Sequence, residues 1–451
     1  MSERPRFRFE LLDAVTAERR QRSVAGGLLA AGLRAGDRVA YVDTAGARML
    51  CAVLGALRVG IVPVLTHAGL MPAERAELLA DADPSLVLDD TDLARLERSG
   101  PAELAPWPLA RPMHYTSGTT GRAKGVWSGV LSDADAAALL AEEVELWEFG
   151  AGDVHLVSSP LYHSVAVRWA GATLLSGGSV VVGAGFDAVS TAAAIAEFRP
   201  NTAFMVPAHM QRLFALEDLP RLDRFRLVAH AGSSCPESIK TKAIAAFGSE
   251  RLWEFYGSTE GQFSAATATE WLERPGTVGR ARPGRSLSVD ADGTIWCEVP
   301  PWARFEYWRR PEATADAWRP AVHDDSSWGA FTVGDLGRID ADGYLFLDGR
   351  RDDLVITGGV NVYPAEVERV LAQVPGVHEI AVFGVDDDRW GQRVCAAVVG
   401  DADPASLDAF ARSHLAGFKR PKDYRLVEEL PYTATGKLRR LDLASQLYPT
   451  E

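Results

Sequence analysis

Over its first third the sequence alternates helix-patterned stretches with short apolar runs, and this rhythm restricts the fold more than any other feature. SVAGGLLAAGL (23–33) has helical spacing and closes at Arg34-Ala35-Gly36. DRVAYV (37–42) then reads as a strand, ARMLCAVLGALRVG (47–60) as a buried helix and IVPVLT (61–66) as another strand. Strands separated by helices pair in parallel and carry the helices on the faces of the sheet. The rhythm returns in DVHLVSS (153–159), AGATLLSGGSVVVG (170–183), AAAIAEFRP (192–200), TAFMVP (202–207) and FRLVAHAGSS (225–234). Between the two stretches, the proline-rich PAELAPWPLARP (101–112) reads as an extended connector.

From Ser286 the pattern changes to short strands and turns. DADGTIWCEV (290–299) and DADGYLFLDGR (340–350) each place an Asp-Gly dipeptide between β-prone runs. Beyond Gly349 come a strand (DLVIT, 353–357), a glycine pair, a helix (PAEVERVLAQV, 364–374) and two strands (EIAVFGV, 379–385; RVCAAVVG, 393–400). The predicted fold class is α/β. A large N-terminal domain of parallel-sheet layers with a β-rich subdomain spans 1–350, and a small α+β domain spans 351–451. Such a division suits 451 residues, more than one hydrophobic core usually serves.

A formal charge of −14 gives no general attraction to nucleic acid or anionic lipid, so the expected partner is a small molecule. Cys51, Cys235, Cys297 and Cys395 stand far apart without a CxxC pair, the pattern of a reducing compartment and not of a disulfide framework or thiolate zinc site. No apolar run reaches the ~18 residues of a membrane span, and MSERPRFRFE lacks the apolar core of a signal peptide. The expected location is the cytoplasm.

The strongest local signal is YTSGTTGRAKGV (115–126). Small residues let backbone N–H groups approach an anion, hydroxyls add donors and a lysine adds charge, which describes a phosphate cradle. A Walker A loop laid on Gly118 would need Gly at Ala123 and Ser or Thr at Gly125, so a P-loop NTPase is excluded. Of the 47 basic residues only six are lysine, and Lys124 and Lys437 both fall in such motifs. A compact ammonium suits a site that must place one point charge between a carboxylate and a phosphate.

YTSGTTGRAKGV resembles the phosphate loop of the acyl-adenylate-forming superfamily, which includes acyl-CoA synthetases, peptide-synthetase adenylation domains and luciferases. Six further segments match in the family's order: PLYH (160–163), AGSSCP (231–236), YGSTE (256–260), VGDLGRID (333–340), LDGRRDDLVITGGVNVYPAEVE (347–368) and PYTATGKLRR (431–440). The resemblance covers nearly the whole chain and departs at Ala123, where the family usually has proline, and at Val333, where it usually has threonine. It implies that Thr116, Ser117, Gly118, Thr119, Thr120, Gly121 and Lys124 embrace the ATP phosphates. It places His163 beside the acyl carboxylate, Thr259 on that carboxylate and the α-phosphate, and Lys437 as the catalytic lysine. Gly232, Ser233, Ser234, Tyr256 and Gly257 would border adenine, Asp335 and Arg350 the ribose, and Glu260 would hold Mg²⁺.

The same resemblance makes the C-terminal domain mobile about a hinge at Asp352. Gly358 and Gly359 would line the thiol channel, with Lys419 and Arg420 near it. Val165, Trp169, Met205, Ala231, Phe255 and Gln262 are the implied acyl-pocket positions and suggest an apolar or aromatic acid. The implied reaction is ATP- and Mg²⁺-dependent formation of acyl-AMP with release of pyrophosphate, then transfer to the thiol of CoA. Transfer to the phosphopantetheine of a carrier protein, catalysis of one half-reaction alone, and a non-catalytic nucleotide-binding module are the alternatives.

Overall fold

The structure, a computed structural model, describes residues 7–66, 70, 72–116, 124–233, 235–322, 325–350, 353–357, 360–387, 390–432 and 438–449. The chain divides into two compact units, Met1–Leu287 with Cys297–Phe331, and Ser288–Trp296 with Thr332–Glu451. The boundary expected between residues 350 and 351 lies inside the second unit. Among the described residues, no helix is long and apolar enough to cross a membrane.

The first unit begins with β1 (Glu10–Asp13), α1 (Ala14–Ala30), β2 (Arg38–Tyr41), α2 (Gly46–Leu57), β3 (Val62–Leu65), α3 (Pro72–Ala82), β4 (Leu86–Leu88) and α4 (Asp90–Leu96). It continues with β5 (Met113–Thr116), β6 (Lys124–Trp127), α5 (Asp133–Trp147), β7 (Val154–Val157), α6 (Ser164–Leu175) and β8 (Ser179–Val182). Then follow α7 (Ala188–Phe198), β9 (Thr202–Met205), α8 (Pro207–Leu213), β10 (Leu227–His230), α9 (Glu237–Phe247), β11 (Leu252–Gly257), β12 (Gln262–Thr267) and β13 (Thr277–Ala281).

The predicted rhythm is present as two sheets. One has β5-β3-β2-β4 in parallel, extended antiparallel by β6 and the strand Glu306–Tyr307. The other runs β1-β8-β7-β9-β10-β11-β12-β13, with its central strands β8 to β11 parallel. Ten of the twelve residues of α2 are buried, as its nearly continuous apolar sequence requires. A methyl group at Gly55 would stand 2.6 Å from the Gln21 carbonyl oxygen, so α2 passes α1 at a separation that only glycine permits.

α1 starts nine residues before the apolar pattern suggested. Asp13 caps it by accepting from Thr16 N–H at 2.8 Å, and its polar first half is tied down by Arg20–Glu97 and Arg58–Glu18 ion pairs. Those partners are remote in sequence, so periodicity alone could not reveal them. The connector 101–112 is free of helix and strand, apart from an isolated bridge at Ala110.

In the second unit, Asp335–Ile339 and Leu345–Arg350 form an antiparallel hairpin through a turn with Gly343 at φ +86°. A sheet follows in the order Val360–Val362, Val355–Thr357, Gly391–Gly400 and Val377–Asp387, and Asp423–Val427 pairs in parallel with Gly391–Gly400. Val367, Leu371, Ala411 and Leu415 from and beside the helices Pro364–Leu371 and Pro404–His414 pack on Val355, Val382 and Val394.

Candidate active site

The parallel arrangement decides where the chemistry can gather. In register, His230 of β10 stands opposite Glu254 of β11, so both strands deliver their following residues to one carboxyl-terminal edge. There β10 ends in Ala231, Gly232 and Ser233, with Gly232 at φ +94° turning the chain away. β11 ends in Tyr256-Gly257, with a bulge between them. The buried Tyr256 ring lies 4.7 Å from that of Phe263. Beneath this edge Lys240 is fully buried, bonded to Glu254 Oε2 at 2.7 Å and to His230 Nε2 at 2.8 Å. Burial, followed by the Lys240 charge, holds His230 well below its ordinary value, so it is neutral and accepts from the ammonium.

Thr259 and Glu260 occupy the tip of the β11–β12 hairpin, where Ser258 N–H donates to the Gly261 carbonyl at 2.8 Å. Arg111, two residues before β5, clamps that tip by donating to the Thr259 and Glu260 carbonyls at 3.2 Å each. Glu260 is buried, and its Oε1 accepts from the Tyr307 hydroxyl at 2.9 Å. The Lys124 ammonium lies 5.0 Å from the centre of the same Tyr307 ring. Tyr307 thus connects the closing strand of the phosphate-loop motif with the carboxylate of YGSTE. Burial, followed by the Glu260 charge, raises its phenol above the ordinary value, so it stays protonated and donates.

Thr116 and Lys124 are paired residues of β5 and β6; Ser117, Gly118, Thr119, Thr120 and Gly121 lie outside the described residues, as do Ser234, Asp352, Gly358, Gly359 and Lys437. His163 is the residue preceding α6, and its ring contacts Tyr162 at 4.7 Å. In the second unit Asp335 is buried and stands opposite Arg350 in the hairpin register. Lys419 is tied to Glu366 at 2.5 and 2.7 Å, while Arg420 donates to the Leu415 carbonyl at 2.8 Å. Cys235 has its thiol pushed up to about 12, chiefly by burial, and remains a protonated packing residue.

The six acyl-pocket positions separate. Val165, Trp169, Ala231 and Phe255 pack with Trp147, Phe149 and Phe204 in one aromatic cluster, and Met205 is buried in another. Trp169 is fully enclosed, with Trp147 at 4.7 Å and Phe149 at 5.3 Å between ring centres. Gln262 instead faces a cavity of about 130 Å³ that starts at Thr259 and Ser164 and passes between α5, α6 and α2.

Sequence reasoning did not find the charged lining of that cavity. Glu143 accepts from Arg282 at 3.0 Å and Trp147 at 3.2 Å and pairs with Arg168 at 3.1 Å. Glu142 binds Arg285 through both oxygens at 2.9 and 2.7 Å. Burial raises the Glu143 carboxyl, but Arg168 and Arg282 outweigh it and leave the group below its ordinary value. The three arginines of GRARPGR (279–285) were a visible signal, whereas Arg111 and Arg168 lie singly among apolar residues.

As for a magnesium ion, no group of three or more potential ligands occurs among the described residues. A buried Glu260 suits this ion all the same, because Mg²⁺ is usually held by one or two carboxylates together with the phosphates of its nucleotide.

Two family descriptions match the chain: AMP-binding enzyme over residues 16–106 and 110–295, and AMP-binding enzyme C-terminal domain over 366–437. The long-chain-fatty-acid–CoA ligase FadD13 of Mycobacterium tuberculosis is 30% identical across 94% of this chain and 90% of its own. The fatty acid–[acyl-carrier-protein] ligase ScoC of Streptomyces coeruleorubidus is 29% identical across 95% and 90%. Among solved structures, ATP-bound MatB from Rhodopseudomonas palustris superposes with a TM-score of 0.81 at 29% identity, covering 96% of this chain and 93% of that one.

Proposed function

This chain belongs to the AMP-binding enzyme family and is an ATP-dependent, AMP-forming acid–thiol ligase, and we propose which of its residues act in that reaction and on what acceptor. A carboxylate oxygen of the acid attacks the α-phosphorus of ATP, the bond to the β-phosphate oxygen breaks, and pyrophosphate leaves. The thiol sulfur of CoA then attacks the acyl carbon, AMP departs and the thiol proton passes to solvent. No side-chain nucleophile is needed.

The first step brings two anions together, so the protein's task is electrostatic and geometric. Lys124 and the loop 117–121 hold the phosphates, and Lys437 neutralises charge between carboxylate and α-phosphate. Thr259 hydrogen-bonds both reacting groups and His163 borders the acyl carboxylate. Tyr256, Gly257, Gly232, Ser233 and Ser234 enclose adenine, and Asp335 with Arg350 takes the ribose. Glu260 would hold Mg²⁺, which when bound offsets phosphate charge. For the second step the C-terminal domain swings about Asp352, withdrawing Lys437 and bringing Gly358 and Gly359 to the thiol.

The observation that carries this reading is the meeting of Lys124, Tyr307 and Glu260 at one place, which joins the phosphate-loop motif to YGSTE. The test is ATP, Mg²⁺ and a panel of acids, with and without CoA, followed by pyrophosphate release and thioester mass. Acid-dependent pyrophosphate with acyl-CoA is the expected result. Pyrophosphate without acyl-CoA favours a carrier-protein acceptor, a second reading that the similarity to ScoC supports. No pyrophosphate with any acid would refute adenylation.

A further inference from the structure

The cavity beyond Thr259 is built for charge as well as for hydrocarbon. Leu54, Leu57 and Val167 give it apolar walls, while Arg111, Arg168, Arg282 and Arg285 bring four guanidinium groups to its lining. Only Glu142, Glu143 and Glu260 oppose them, one carboxylate fewer than the cations. Glu142 is occupied by Arg285, Glu143 by Arg282 and Arg168, and Glu260 by the Tyr307 hydroxyl. Among the described residues Arg111 is the lining cation paired with no carboxylate: its hydrogen bonds go to two backbone carbonyls, both from Nη2.

Independent signs of a missing polar occupant come from groups that are themselves deeply buried. Gln262 is 6% exposed and lines the cavity, yet its Nε2 has no hydrogen-bond partner among the described residues. The same holds for Nε of Arg282 and of Arg285, both deeply buried. Unpartnered donors at this depth are costly to leave, and a space larger than one water needs can hold the acceptor that satisfies them.

We infer that the acid activated here carries a second carboxylate, which enters this cavity and is held by Arg111 with Gln262 beside it. The inference rests on the adenylation reading for the position of the reacting carboxylate near Thr259. In this arrangement the connecting methylenes lie along Leu54, Leu57 and Val167. The paired arginines add to the positive potential without having to give up their glutamates.

The experiment compares matched acids by pyrophosphate release, each dicarboxylate against the monocarboxylate of equal carbon number, from malonate with propionate to adipate with hexanoate. The expected result is one diacid preferred in kcat/KM by roughly tenfold or more, the discrimination of a charge-assisted hydrogen bond. In Arg111→Met the ratio should collapse towards one. Equal use of both acid classes by the unaltered protein, or a preference that survives in Arg111→Met, overturns the inference. Should Arg111→Met lose its native circular dichroism, Arg111→Lys replaces it, with a severalfold fall in the ratio expected and an unchanged ratio overturning the inference. Should no acid release pyrophosphate, adenylation fails, and the cavity is judged by binding. A diacid that raises the melting temperature of the unaltered protein but not of the variant upholds it, and one that does neither rejects it.

Discussion

The Tyr307 hydroxyl donates to Glu260 Oε1 at 2.9 Å across 47 positions of sequence. A buried carboxylate fixed in this way presents its remaining oxygen in one direction, a requirement for a metal-holding group. Tyr307→Phe should therefore raise the Mg²⁺ concentration needed for half-maximal pyrophosphate release, by a factor corresponding to about 1–3 kcal/mol for a buried partner left unsatisfied. An unchanged Mg²⁺ dependence would separate Tyr307 from the metal site.

Lys437→Ala tests the charge-neutralising role directly. Acid-dependent pyrophosphate release should drop by about 10²–10³, the usual consequence of losing one electrostatic stabiliser. Thioester formation from supplied acyl-adenylate and CoA should persist, because the proposed domain swing withdraws the lysine for that step. Mass spectrometry of the thioester distinguishes these outcomes, and equal loss of both half-reactions would argue for a different role.

Glu143 stands between Arg168 and Arg282 in nearly complete burial. Glu143→Gln keeps the shape but strips the buried Arg282 and the part-buried Arg168 of their counter-ion, and should lower unfolding free energy by about 3–5 kcal/mol in a urea titration. The sign of its pH dependence follows from its depressed folded value. The stabilisation is present above the ordinary carboxyl value of 4.5 and disappears as the pH falls through the lower folded value.

Burial brings His114, His155 and His209 down to about 3 from an ordinary 6.5. Each is neutral in the native protein and becomes protonated on unfolding in mild acid. Their contribution to stability is thus complete above about pH 6.5 and declines as the pH drops towards about 3, approaching 1.4 kcal/mol per pH unit for each group. Urea midpoints at pH 7.5 and 5.5 should show the fall, and His155→Gln should flatten it.

Much of the architecture was legible because burial imposes periodicity on a contiguous stretch: DRVAYV, IVPVLT, DVHLVSS and FRLVAHAGSS all contain strands of the two sheets. The start of α1 was not legible, since its polar half is stabilised by Glu97 and Arg58, far along the chain. The same limit hid the cavity. Arg282 and Glu143 meet across 139 positions, and no local pattern marks an arginine for burial before its carboxylate is known. The motif YGSTE is contiguous, so Tyr256, Thr259 and Glu260 could be read together, whereas their partners Tyr307 and Arg111 lie far along the chain. They could not foresee that Trp169 packs into an aromatic cluster while Gln262 faces open space.

Helix α6 presents Trp169 to Trp147 on one face and Arg168 to the cavity on the adjacent one. Two indoles 4.7 Å apart are close enough for their electronic transitions to mix, which gives a near-ultraviolet dichroic signal sensitive to small changes in ring angle. The chain thus contains its own chromophore pair, mounted on the element that a ligand in the cavity would press against. Occupancy of that cavity could be followed in unlabelled protein, on the timescale of a stopped-flow mixing experiment and before any bond is made or broken.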